Sequence, residues 1–348
     1  MLYKRALIIA MTIQQQRYSE VGTKGEHMNL ADSATNKPGK WPYVIAISFI
    51  LFMISLSVGL QHSEIILPEV AAMAIAMWVY REPGWIRRPS VIFIAPTVTA
   101  TIGLVINQFQ ILYPIKVVLT LMIMMFFLRL IRSNLAPAIA TGLLPLAIHT
   151  EDWSFVWIVF GFTLTLMAGV VVPQLHKHLA TKSMIQYKYM VIFLGISLCW
   201  LSVCSLLGYE QMAVIPPIFV VVYESLQKPI YTAKIAFKQG STLTLSAAVG
   251  VLIFMQVDSQ VLAAFIDMIV VVMISRFFHA RIPALYAIPL LTFIFPKENV
   301  WSLPLVTFFA SLFMFSFVLL YKYGEKRTLN RKHQLEQNKS CGQNSVSS

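Results

Sequence analysis

Charge is what this sequence has least of. Asp, Glu, Lys and Arg make up only 12% of its 348 residues while 57% are hydrophobic, and the mean hydropathy is +0.71. A water-soluble globular domain carries about twice that share of charge, so that class fits poorly. Cysteine is scarce as well. Cys199 and Cys204 lie in one apolar stretch and Cys341 in a polar tail, which excludes a disulfide framework and any cysteine-based metal spacing. A Walker phosphate loop, an HExxH pair and any His/Asp arrangement for acid–base work are also missing, and His149, His176, His178 and His279 fall in loops. ATP-driven pumping by this chain and catalysis inside a membrane are therefore not expected, and no cofactor or metal is called for.

The formal net charge is +12, yet no soluble module gathers it. Lys and Arg sit in short loops between apolar spans, so the expected partner is a lipid bilayer and not a nucleic acid. Apolar stretches of roughly membrane-spanning length follow one another near 43–61, 65–80, 90–107, 113–131, 135–149 and 153–173, then near 189–208, 211–226, 240–256, 260–276, 282–296 and 301–321. The loops alternate between basic ones, such as Arg81/Arg87/Arg88, Lys228/Lys234/Lys238 and Arg276/Arg281, and neutral or mixed ones such as "HSE", "NQFQ" and "HTED". Twelve crossings then place both termini in the cytoplasm of a cell (inner) membrane. The opening "MLYKRALIIAMTI" has a basic start and a short apolar run but no small-residue cleavage site after it. The organisation expected is a polar cytoplasmic segment over 1–42, membrane units over 43–176 and 189–321, a cytoplasmic linker over 177–188, and a basic disordered tail over 322–348.

The two halves resemble each other at a nearly constant offset. Pro83 answers to Pro229, Gly103 to Gly250, Pro137 to Pro283, Glu64 to Glu210, and "EDWS" at 151–154 to "NVWS" at 299–302. An even number of spans per unit gives both copies one orientation. The fold class expected is an all-α membrane protein of about twelve transmembrane helices in two parallel six-helix repeats, with an interface between them.

The candidate site lies where the halves would meet. "SRFFHARIPALYAIPLL" places His279 and Arg281 ahead of Pro283 and Pro289; the matching "LIRSNLAPAIATGLLPL" places Arg132 and Asn134 ahead of Pro137 and Pro145. These fifth and eleventh stretches hold only about 15 apolar residues, roughly 22 Å of helix, which is short of the hydrocarbon thickness. Short, proline-interrupted segments at matching places are the sequence mark of a transporter binding site. A helix start with a nearby guanidinium favours a small anion as substrate, although basic loops commonly do no more than set topology. A second matched pair of spans is rich in hydroxyls: Thr97, Thr99 and Thr101 in the third, Thr242 and Ser246 in the ninth. They suit either close helix packing or a polar lining. Asp267, mid-way along the tenth stretch with Leu121 as its apolar repeat partner, is a candidate for proton coupling or for a structural pairing with a neighbouring helix, while Glu69 and Glu224 lie nearer span ends and read as snorkelling or interfacial packing.

The second half, from "VIPPIFVVVYESLQKP" through "KQGSTLTLSAAVGVL" to "RFFHARIPALYAIPLL", resembles the HPP family of integral membrane proteins. The family's His-Pro-Pro signature is represented by His279 and Pro283, with Ala280, Arg281 and Ile282 between them. The resemblance implies a small helical bundle, associated in some members with nitrite transport. More distantly the chain is similar to the fusaric-acid-resistance and aromatic-acid exporter proteins, which share six-span units with basic loops. The function expected is a secondary transporter or channel for a small anion, nitrite-like or an organic acid, with an aromatic-acid or drug exporter component and a non-transporting membrane scaffold as alternatives. Homo-oligomerisation is left open.

Overall fold

The computed structural model describes residues 39–177, 186–210, 213–296 and 300–344. Most of the polar segment over 1–42, His178 and Lys182 of the linker, Asn299 and the tail end at 345–348 lie outside the described residues. Every regular element among the described residues is helical. Eight of these helices are long and apolar enough to cross a membrane, which makes the chain a multi-pass membrane protein.

The helices of seven or more residues, in order, are α1 (Lys40–Leu60), α2 (Pro68–Ala74, continued by a π-helical turn over Ile75–Val79), α3 (Pro89–Asn107), α4 (Tyr113–Leu130), α5 (Pro137–Ile148), α6 (Ser154–Val171), α7 (Lys188–Leu206), α8 (Pro216–Gln227), α9 (Ala233–Gln256), α10 (Gln260–Phe277) and α11 (Leu303–Asn344), with one further helical turn over Pro83–Ile86. Between α10 and α11 lies Pro283–Phe293, two 3-10 turns and no α-helix. Proline opens α2, α3, α5, α8 and both 3-10 turns, where its missing N–H costs no hydrogen bond. Thr232 and Ser259 cap α9 and α10 by accepting from the N–H groups of Ile235 and Leu262.

Twelve apolar stretches are thus eight long helices and four short elements, not twelve spans. The sequence expectation counts the second and eighth stretches as full crossings; they are the short α2 and α8. Hydropathy does not distinguish a residue facing lipid from one facing protein, so a core helix reads as a span. The two classes differ in burial. At most 44% of a long helix's apolar window is buried, and its outer face carries residues such as Phe126, Trp157, Val191 and Met273, each more than 60% exposed. Every residue of α2, of α5 as far as Ala147 and of both 3-10 turns is buried. The short elements also pack on one another: α8 on α5, α2 on α5 and on Pro283–Tyr286, and α8 on Pro283–Tyr286. Three of them begin from extended backbone at Leu67, Ile215 and Ile282, a conformation that membrane depth tolerates only inside protein.

Two further expectations need correction. Pro145 does not break α5, which is continuous from Pro137 to Ile148; the Pro145 carbonyl instead accepts from Asn107 and from the Thr150 N–H. The tail expected to be disordered from Lys322 starts as helix, because α11 runs on to Asn344.

Local geometry recurs at one fixed offset along the chain. Gln61 and Gly208 both take positive φ, as do Arg132 and His279, and the two pairs are equally far apart in sequence. Arg132 and His279 each close their helix with the same bond, Ser133 N–H to the Leu128 carbonyl in one case and Ala280 N–H to the Ser275 carbonyl in the other. At that same offset five of the six buried residues of α4 (Val117, Thr120, Leu121, Met124, Leu128) fall on buried residues of α10 (Ala264, Asp267, Met268, Val271, Ser275), Met125 being the exception. In that register Asp267 stands opposite Thr120 and not Leu121.

Two glycines fix the closest contacts. A Cβ on Gly103 of α3 would land on the Gly142 carbonyl oxygen of α5, and one on Gly250 of α9 would come within 2.8 Å of the Pro289 backbone. Both contacts join a long helix to a short element, backbone against backbone. Gly103→Ala should lower the melting temperature of the purified protein, at a cost of about 1–3 kcal/mol. Gly161→Ala, where an added Cβ meets nothing within 4 Å, should leave it unchanged in the same thermal-shift assay.

Candidate functional site

The seam between the short elements has two polar regions, one at the end where α2 terminates and one inside. At the end of α2 the π-helical turn delivers Tyr80, whose hydroxyl lies 3.1 Å from Ser275 Oγ of α10 and donates to Tyr286 Oη at 3.4 Å. A π turn shifts the residues after it around the axis and is frequent at functional sites. Here it aims a side chain of the first half onto two of the second. Ser275 in turn donates to the Ala280 carbonyl at 2.8 Å, tying the end of α10 to the start of Pro283–Phe293. The Arg276 guanidinium stacks over the Tyr43 ring at 5.4 Å.

Just beyond this layer are four charges. Glu82 follows the π turn, Glu224 and Lys228 come from the end of α8, and Arg281 precedes Pro283. Burial raises the Glu82 carboxyl above its ordinary value of 4.5, and the charges of Lys228 and Arg281 oppose that rise. The surroundings are basic, and two cations, Arg88 just before α3 and Lys238 in α9, cap the recurring left-handed turns. Arg88 donates to the Arg132 carbonyl at 3.3 Å and Lys238 to the His279 carbonyl at 2.6 Å.

The predicted site residues are placed as follows. Arg132, His279 and Arg281 lie at this end, the first two at the left-handed turns, and Asn134 is half-buried with Oδ1 unpartnered among the described residues. Pro137 and Pro283 open the short elements behind them. Most of the hydroxyls serve the helix backbone: Thr99 donates to Ala95, Thr101 to Thr97 and Thr242 to Lys238. Ser246 instead donates across to the Leu285 carbonyl at 2.8 Å and so holds the first 3-10 turn against α9. Thr97 Oγ1 is buried without a partner among the described residues.

Asp267 is 0% exposed and neither carboxyl oxygen has a hydrogen-bond partner among the described residues. The expectation for Glu69 needs correction. It is 3% exposed in the wholly buried α2, with Oε1 unpartnered, so it does not snorkel. That expectation takes the second stretch to begin at the membrane surface. In the structure the Leu67 N–H lies 3.5 Å from Met53 Sδ, about 10 Å below the end of α1. Sequence reasoning also passes over Tyr80 and Glu82, since a π turn leaves no mark in composition.

At the opposite end, Glu64 accepts from Thr150 Oγ1 and, at 3.3 Å, from Ser154. Asn107 donates to the Thr150 carbonyl at 2.8 Å, and its own carbonyl accepts Lys116 at 2.6 Å. This network ties in Lys116, a basic residue on the side whose loops are neutral or mixed. Between α4 and α7 a cleft of about 440 Å³ is lined by apolar side chains including Ile115, Val118, Leu198 and Leu201, with Ser202 and Ser205. Among the described residues no group of three His, Cys, Asp or Glu side chains could hold a metal ion.

Comparisons of the chain with family models, with curated proteins and with solved structures find no match.

Because Glu82 holds its proton more tightly folded than unfolded, the stability it contributes is complete below about pH 4.5 and is lost as the pH rises through its raised folded value. Removing an opposing cation enlarges that loss. Arg281→Gln should therefore depress the melting temperature more at about pH 8 than at about pH 5. Adding Glu82→Gln should make the deficit independent of pH.

Proposed function

We propose that the chain is a secondary transporter or channel for a small anion, nitrite-like or an organic acid, with its path along the seam between two parallel six-element repeats. The observation that carries this reading is the packing of four short, proline-opened, buried elements from both halves on one another, inside helices long enough to span a bilayer. The turns and buried positions that recur at one constant offset support the duplication. The basic loops around Arg281 and Lys228 raise the local concentration of anions at one mouth, and under the positive-inside rule that mouth is cytoplasmic, as are both termini. Asp267 is the proton-coupling residue in this reading, its carboxyl standing in the membrane with no counter-charge among the described residues. No step in this route calls for covalent chemistry by the chain, a cofactor or a metal.

A second reading, an exporter component for aromatic acids or drugs, is favoured by the cleft between α4 and α7. Its walls are apolar, and it opens outward between the two long helices, with Ile115, Leu198 and Leu206 exposed.

Uptake into proteoliposomes, with a panel of small anions and of aromatic acids and with and without a pH gradient, tests both. Saturable uptake of a small anion is expected, falling about tenfold in Arg281→Gln if one charge-assisted contact is lost. Uptake that Arg281→Gln leaves unchanged at equal expression removes Arg281 from the mouth. Flux confined to aromatic acids selects the exporter reading, and no flux of any compound selects a membrane scaffold.

A further inference from the structure

Glu69 and Asp267 come from different halves, yet their elements pack against the same segment, Pro283–Tyr286, and both lead into the contact between Tyr80 and Ser275. The hydrogen-bonded pair Tyr80 and Ser275 fixes one common level for the two elements. From that level Glu69 lies eleven residues back along α2, about 16 Å, and Asp267 eight residues back along α10, about 12 Å. Both carboxyls therefore sit at nearly one depth, close to the middle of a hydrocarbon layer of about 30 Å.

Neither carboxyl is explained by the fold. Asp267 has two oxygens without partners and Glu69 has one, and both side chains are almost wholly buried. Helix α2 packs most closely against α5, α6, α8 and Pro283–Tyr286, and α10 against α9 and Pro283–Phe293. The titratable side chains on those elements are Tyr223, Glu224, Tyr286, Lys234 and Lys238. Apart from the Glu69 N–H, no group among the described residues acts electrostatically on either carboxyl, and no cation compensates them. An isolated carboxylate in such a place costs several kcal/mol, and nothing in the packing needs it: at the register of Asp267, α4 carries Thr120, bonded to its own helix through the Lys116 carbonyl.

We propose that Glu69 and Asp267 are two separate proton-binding carboxyls within the membrane, one from each half, on elements that both pack on the Pro283–Tyr286 turn. The inference deepens the transport reading and rests on it for its purpose: a substrate anion crossing beside these carboxyls does so with protons taken up at one face and released at the other. It extends the coupling role from Asp267 alone to a pair that spans the seam.

The test reads the protons directly, in the full chain reconstituted in phosphatidylcholine bilayers. Infrared difference spectra across a pH titration should show a carboxylic-acid C=O band that shifts in D2O. Part of that band should be lost in Glu69→Gln, another part in Asp267→Asn, and both parts in the double variant. Dicyclohexylcarbodiimide, an apolar reagent for protonated carboxyls, should label Glu69 and Asp267 of the unaltered protein, with labelling that declines as the pH is raised. A band left whole by Glu69→Gln, or labelling of neither residue at any pH, overturns the proposal. A band that responds to sodium and not to pH overturns it as well, in favour of a cation site. In transport, Glu69→Gln should abolish accumulation driven by a pH gradient while substrate exchange persists. Absence of flux in the unaltered protein with band and labelling intact would defeat the transport reading and leave the proton-binding carboxyls standing.

Discussion

A helix too short to cross a bilayer can exist within one only if other helices keep lipid away from its ends. That constraint organises this protein. The extended residues Leu67, Ile215 and Ile282 present backbone N–H and C=O groups at depths where no water is at hand, so α2, α5, α8 and Pro283–Phe293 must lie inside a wall of protein. The eight long helices form that wall. They meet lipid with large apolar side chains and meet the short elements with glycine, since at Gly103 and Gly250 only a missing side chain lets two backbones approach so closely.

The same constraint decides where polarity can go. Most hydroxyls inside the protein turn back onto a carbonyl of their own helix, as Thr99 and Thr242 do, which satisfies them without a partner element. Groups that do cross, such as Tyr80 to Ser275 and Ser246 to Leu285, lie along the short elements and connect them. Glu69 and Asp267 do neither, and among the unpartnered buried groups of the described residues they are the two carboxyls.

Much of this is legible in the sequence and the rest is not, for definite reasons. The apolar stretches, their order and the prolines that open the short elements can be read directly, because span length and the proline N–H are local properties. The pairings of Gly103 with Gly250 and Pro137 with Pro283 have nearly the spacing at which Arg132 and His279 repeat one turn. The number of true spans cannot be read, because the stretches holding α2 and α8 are as apolar as their neighbours, and the extended entry that shortens each helix leaves no mark in hydropathy. The role of Glu69 goes with that error: a residue at the start of a stretch lies at the surface only if the stretch starts there. His279 and Arg132 attract notice as side chains, while the structure uses their backbone, at turns whose carbonyls accept Lys238 and Arg88.

The contact between α5 and α8 has a bearing on how the protein is made. These short elements belong to different halves and are separated in the chain by α6 and α7, yet each supplies part of the other's covering. When α5 leaves the ribosome its partner does not yet exist, and a twelve-residue helix has too little apolar length to partition into lipid alone. The first half must wait, incompletely enclosed, until about eighty further residues have been synthesised, which takes roughly 4 to 16 s at typical elongation rates. Assembly of the two halves is thus obligatory rather than sequential, and a chain cut in the linker between α6 and α7 would leave each fragment with an uncovered helix for chaperones or insertase to shelter.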